Sequence, residues 1–129
     1  MPSFLNPLLQ GPADRLCLRN AGTQATIADH LHTAFDSASR RTGLLRHDGF
    51  AEGHALIIAP TNAIHTWFMK FPIDVAFVAK DGRIVKTRSR LPAWRLAAAW
   101  RAYAVIELPA GALDRSSTAV GDRLVCVSR

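Results

Sequence analysis

Apolar residues in this chain come in short runs, each stopped by turn chemistry, and this punctuation limits the fold more than any other feature. Leu16-Cys17-Leu18 gives way to Asn20-Ala21-Gly22-Thr23, and Ala25-Thr26-Ile27-Ala28 follows. Asparagine and glycine tolerate positive φ, so the two runs read as a hairpin. Ala55-Leu56-Ile57-Ile58-Ala59 is halted by Pro60, and Ile73 to Ala79 meets Lys80-Asp81-Gly82 before returning as Arg83 to Leu91. Two further strands, Ala104 to Leu108 and Asp122 to Val127, flank Pro109-Ala110-Gly111. Short strands separated by turns build a closed or sandwiched antiparallel sheet. No window approaches the roughly 18 consecutive apolar residues of a membrane helix.

One helix is legible, over about residues 36–46. Asp36-Ser37 can cap it, Arg40, Arg41 and Arg46 complement the dipole at its end, and His47-Asp48-Gly49 stops it. Pro92 to Trp100 reads either as a second short helix near 93–100 or as a loop, because Trp94, Ala97, Ala98 and Arg101 have helical spacing. The expected fold is mainly β, a compact antiparallel β-barrel or distorted sandwich. It is one domain over residues 15–129, preceded by an irregular arm, 1–14, that carries Pro2, Pro7 and Pro12. With 129 residues, 49% of them hydrophobic, such a domain can bury a core of its own.

The start, Met1-Pro2-Ser3-Phe4-Leu5-Asn6-Pro7, lacks a basic segment followed by an apolar one, so a cytoplasmic address is expected. Cys17 and Cys126 sit inside apolar runs without a CxxC partner, which suits buried free thiols better than a disulfide, a redox pair or a zinc site.

Candidate chemistry concentrates in His65-Thr66-Trp67-Phe68-Met69-Lys70-Phe71-Pro72-Ile73-Asp74. If residues 65–70 run extended, His65, Trp67 and Met69 share one face while Thr66, Phe68 and Lys70 share the other. Asp74 falls opposite Ile73, Val75 and Phe77 on its strand. A functional reading makes a pocket in which Asp74 orients His65 or pairs with Lys70. The structural reading has Asp74 accepting backbone amides at a strand entry, with His65 hydrogen-bonded in the core. No serine or cysteine nucleophile stands at a recognisable spacing from the histidine. His30 and His32, at i and i+2, would point the same way on a strand, but no third ligand lies near them in sequence, so no metal is assigned.

The formal charge of +6 is carried by one window. Between Asp81 and Glu107 there is no acid, and Arg83, Lys86, Arg88, Arg90, Arg95 and Arg101 all lie there. Strand alternation places Lys86, Arg88 and Arg90 on one face. With Trp94, Trp100 and Tyr103 nearby, this strip could bind single-stranded nucleic acid, an acidic protein or anionic headgroups, or simply be a solvated edge.

Arg41-Thr42-Gly43-Leu44-Leu45-Arg46, the His65–Phe77 stretch, Asp81-Gly82-Arg83-Ile84-Val85, Ala104 through Gly111 and Gly121-Asp122-Arg123-Leu124 together resemble the bacterial and archaeal family known as domain of unknown function 192. The resemblance covers roughly residues 25–127. It implies a small, mainly β barrel or distorted sandwich with one short helix, and no assigned enzymatic activity. Many relatives carry asparagine after the Met-Lys pair, where this chain has Phe71.

The reading adopted is a non-enzymatic binding or accessory domain. Its candidate ligand-binding residues are His65, Trp67, Met69, Lys70, Asp74 and Arg88, with no catalytic residue, metal or cofactor. Its partner is a small molecule or a protein. One alternative is a small enzyme using His65 and Asp74 as acid and base on an anionic substrate held by Lys70 and Arg88. Another is a nucleic-acid-binding barrel using the Arg83–Arg101 window.

Overall fold

The computed structural model describes residues 3–36 and 50–129. The Asn20 turn joins β1 (Leu16–Asn20) to β2 (Thr26–Ala28) in antiparallel register. Asn20 is wholly buried. Its Oδ1 accepts the Gly22 amide at 2.9 Å, and its Nδ2 donates to Asp122 Oδ2 at 3.0 Å. The turn-forming residue thereby also fastens the first hairpin to the loop before β10 (Leu124–Ser128), which pairs with the other edge of β1.

A five-stranded sheet forms the centre, ordered β3 (His30–Ala34), β4 (His54–Ile58), β9 (Ala104–Pro109), β6 (Ile73–Val78) and β7 (Ile84–Leu91). β6 and β9 are buried along their whole length, as their apolar runs, interrupted only by Asp74 and Glu107, require. One face of this sheet packs Ala76, Val78, Ile106 and Leu108 against Leu18, Ile27, Leu124 and Cys126 of the three-stranded sheet. The opposite face packs Val75, Phe77, Val105 and Leu56 against Ile64 and Ala97. These two belong to a small antiparallel pair, β5 (Ala63–His65) and β8 (Leu96–Ala98). The result is a layered sandwich, one of the two forms expected.

The β6–β7 turn needs its glycine. Gly82 sits at φ 96°, and a Cβ there would collide with the Leu124 carbonyl. Along β7 the register slips. Phe77 faces Lys86 and Val75 faces Arg88, but Ile73 faces Leu91, so an extra residue is accommodated after Arg88, where Arg90 has φ 51°. Lys86 and Arg88 therefore share a face as alternation predicts, while Arg90 is turned out of their row.

Three local expectations change. Residues 93–100 hold the strand β8 in place of a helix or loop, because Ala97 opposite Ile64 finds a core to fill in the extended form. The sheet is not wholly antiparallel, since β3 and β4 run parallel, which the long connection between them permits. The first residues contain a short helix, α1 (Asn6–Gln10), and bury Leu5 and Leu8 in the first core. The helix expected over 36–46 lies, Asp36 apart, outside the described residues. A last short helix, α2 (Ala112–Arg115), follows β9. Among the described residues no helix is long and apolar enough to cross a membrane.

Candidate functional site

The β5–β8 pair alternates cleanly. Ile64 and Ala97 face the core, and their neighbours His65 and Leu96, directly opposite each other, face solvent. Beyond His65 the chain stops being extended. The Met69 amide donates to the Thr66 carbonyl at 3.2 Å, and Phe68 adopts φ 67°. This turn sends Met69 inward to the core while Trp67 and Phe68 stay outside. The face-sharing expected of an extended 65–70 segment therefore ends at Thr66. His65 and Trp67 still meet, stacked at 4.6 Å between ring centroids.

Thr66 organises the region. It is buried, its Oγ1 donates to the Pro92 carbonyl at 2.7 Å and accepts the Arg95 amide at 2.9 Å. Its own amide donates to the Arg95 carbonyl, and its carbonyl accepts the Trp94 amide. One small residue thus clamps the 66–69 turn to the 92–95 turn. Across that clamp the Phe68 and Trp94 rings meet edge to face, 4.8 Å apart. Trp94 is left-handed as well, at φ 63°. A bulky side chain at positive φ is strained, by about 1–3 kcal/mol each. Two such residues hold rings that remain 67% and 58% exposed. Trp100, with Arg101 above its ring, stands exposed beyond the far end of β8, so every tryptophan of the chain belongs to this small sheet and its turns.

Cationic side chains lie on the same segments and on the neighbouring strand β7. Lys86 lies over the Phe77 ring and donates to the Ala98 carbonyl at 2.8 Å, tying β7 to β8. Arg88 stands next along the same face, exposed, as are Lys70, Arg95 and Arg101. Tyr103, which sequence proximity groups with the tryptophans, instead packs against the first core beneath Lys80.

Asp74 is elsewhere. It is 1% exposed, and its carboxylate accepts the Arg90 amide at 2.9 Å on Oδ1 and the Leu113 amide at 3.0 Å on Oδ2. These bonds stitch the β7 bulge to the start of α2. His65 and Asp74 share no hydrogen bond. His65 is exposed and not in the core, since the strand that carries it turns its outer face to solvent.

Sequence spacing missed other groupings. Parallel pairing sets His54 beside His30 and His32, with ring centroids 4.6 and 5.1 Å away. The rings lie within 12° of parallel, and His32 Nε2 meets His54 Nδ1 at 2.9 Å, so these two nitrogens are spent on each other, and among the described residues no three metal-ligating side chains converge. Glu107 lies on the second-core face of β9, opposite Leu56 and Val75, and no described residue hydrogen-bonds its carboxyl. Burial pushes its pKa up to about 8. An acid inside an otherwise apolar strand was the available signal for it.

The family model DUF192, described as "Uncharacterized ACR", matches residues 17–126. The chain belongs to this family. Two solved structures share the DUF192 chain's fold. One is a crystal structure described as a "putative transcription regulator" from Sinorhizobium meliloti 1021, 24% identical, with TM-score 0.72 over 85% of this chain and 90% of that one. The other is a protein of unknown function from Novosphingobium aromaticivorans DSM 12444, 19% identical, with TM-score 0.70 over 85% and 82%. No curated protein sequence matches.

Proposed function

We propose that this DUF192 domain is a non-enzymatic, cytoplasmic binding module. Its binding face is the aromatic end of the β5–β8 pair, and its partner is a protein segment that carries acidic and apolar residues. The observation that carries the reading is the pair Phe68 and Trp94, held at positive φ with their rings outward and in contact. The turns serve the fold, but glycine would make them without strain, so large exposed rings at these positions call for a reason outside the fold. Fixed aromatic anchors lower the ordering cost of association. Aromatic residues with arginine around them are the usual composition of an interface hot spot. The acidity of the partner follows from exposed cations on these segments and the adjoining strand: Lys70 and Arg95 near Phe68 and Trp94 in sequence, Arg101 over the Trp100 ring, and Arg88 on β7.

His65 and Trp67 extend the surface, Met69 supports it from below, and Asp74 acts by fixing backbone. Single-stranded nucleic acid suits the face less well, because stacking calls for free ring faces in series. Here His65 covers one face of Trp67, and Phe68 meets Trp94 by its edge. The regulator description attached to the Sinorhizobium structure supports the fold alone at that identity.

The test uses the tryptophans, all of which report on this region. Peptides alternating glutamate with leucine or phenylalanine should shift the fluorescence saturably, and Phe68→Ala with Trp94→Ala should abolish the shift while the fold persists. Saturable binding of an oligothymidylate with a steep salt dependence, and none of the peptides, would replace this reading with the nucleic-acid one.

A further inference from the structure

Away from the aromatic face, two arginines converge over one glycine. Gly111, at φ 93°, begins the turn into α2. A Cβ there would lie 2.8 Å from Nη1 of Arg115 and 3.3 Å from Nη2 of Arg90. Both guanidiniums thus reach within 3.3 Å of a single point that only glycine leaves open.

Their compensation is incomplete. Arg115 has the Ala110 carbonyl at 3.4 Å from Nη1 and the Glu52 carboxylate at a loose 3.7 Å from Nε. No acceptor among the described residues pairs with the Arg90 guanidinium. Two cations side by side repel unless an anion lies between them. Asp74 holds the arrangement in place without neutralising it at the guanidiniums. One oxygen binds the Arg90 backbone and the other the Leu113 backbone, so bulge and helix start are fixed relative to one another. Arg115 also lines a recess of about 300 Å³ whose other walls are Phe50, Phe71, Pro72, Pro109, Ala110 and, at its exposed side, the Glu52 that pairs loosely with Arg115.

We propose that Arg90 and Arg115 bind the oxyanion of a small organic acid, a carboxylate or a phosphate monoester, whose apolar body lies in that recess. Paired guanidinium forks match such an anion in geometry and charge. The apolar walls supply the remaining affinity, and Gly111 keeps the approach clear. This site is separate from the aromatic face and does not depend on its role.

Calorimetric titration with benzoate, phenyl phosphate and uncharged benzyl alcohol tests the assignment at low ionic strength. At least one of the two anions should bind, and their relative affinity identifies carboxylate or phosphate as the preferred group. Benzyl alcohol should bind at least about tenfold more weakly, since charge-assisted hydrogen bonds are the ones lost. Arg90→Gln and Arg115→Gln should each weaken the anion by about tenfold or more, while Arg123→Gln, whose guanidinium faces Asp81 instead, should leave it unchanged. Circular dichroism and melting of each variant show whether it is folded, and either arginine variant suffices. The proposal is overturned if neither anion binds, if benzyl alcohol binds equally, or if Arg123→Gln weakens binding as much as the folded Arg90 and Arg115 variants do.

Discussion

Asp74 Oδ1 accepts the backbone amide of Arg90 at 2.9 Å, at the point where β7 bulges away from β6. The second carboxylate oxygen is taken by Leu113, so a wholly buried acid spends both oxygens on main chain. Asp74→Asn keeps the size but turns one acceptor into a donor facing an amide. A buried donor left unmatched costs about 1–3 kcal/mol. Chemical denaturation should show a loss of that order, with the aromatic face unaltered by tryptophan fluorescence. A variant as stable as the parent would remove Asp74 from the framework.

Thr66 should be as sensitive and for a related reason. Thr66→Val preserves shape but deprives the Pro92 carbonyl and the Arg95 amide of their shared partner. The expected loss is about 1–2 kcal/mol, together with altered fluorescence as the two turns loosen. Serine at this position should restore most of the loss, because the hydroxyl is what the turns require.

Phe68 should behave in the opposite direction. Its ring is mostly exposed and its backbone is left-handed. Phe68→Gly removes the steric cost of positive φ, so stability should rise relative to Phe68→Ala, by about 1 kcal/mol. Both variants should lose peptide binding. Thermal melts of the two, run side by side, decide whether the strain is real.

What the sequence made legible was local. Asn20 and Asp81-Gly82 announce their turns, and apolar runs holding a single acid each announce β6 and β9, because those signals lie within a few residues of their consequences. The site depends on closures between distant segments. Asp74 reaches residues 16 and 39 positions away, and Thr66 reaches one 26 away. His54 joins His30 only through a parallel pairing that no local pattern encodes. Alternation likewise could place Lys86 and Arg88 together, but the bulge that removes Arg90 is set by pairing with β6. Local spacing therefore found the residues of the aromatic segment and misjudged which of them meet.

The cysteines illustrate how register settles a question that composition leaves open. Cys126 lies opposite Leu18, and Cys17 lies opposite Val127 on the neighbouring strand. Offset by one position, the two side chains point to opposite faces of the sheet, so the thiols stay free and buried. Burial, with Cys17 adding to it, pushes the Cys126 thiol up to about 12. The folded protein should resist a thiol reagent at pH 8, and both cysteines should react in denaturant. Melting should be the same with and without reductant. Rapid labelling of Cys126 in the native state would contradict this register.

Glu107 sets a pH dependence whose direction can be worked out. Burial among Leu56, Val75 and the second core raises its pKa from 4.5 in the open chain to about 8 in the fold. Between those values the native state holds a proton that the unfolded state has released, so stability falls as pH rises through that window. It is fully present below about pH 4.5 and lost by the time pH passes about 8, where the carboxylate must ionise inside the sheet. The contribution is on the order of a few kcal/mol. Glu107→Gln cannot ionise and should lack this term. In urea titrations at pH 5, 7 and 9, the variant should gain on the parent at each step, and the gain should be greatest at pH 9. A constant difference across the three would mean that Glu107 does not change its protonation on unfolding.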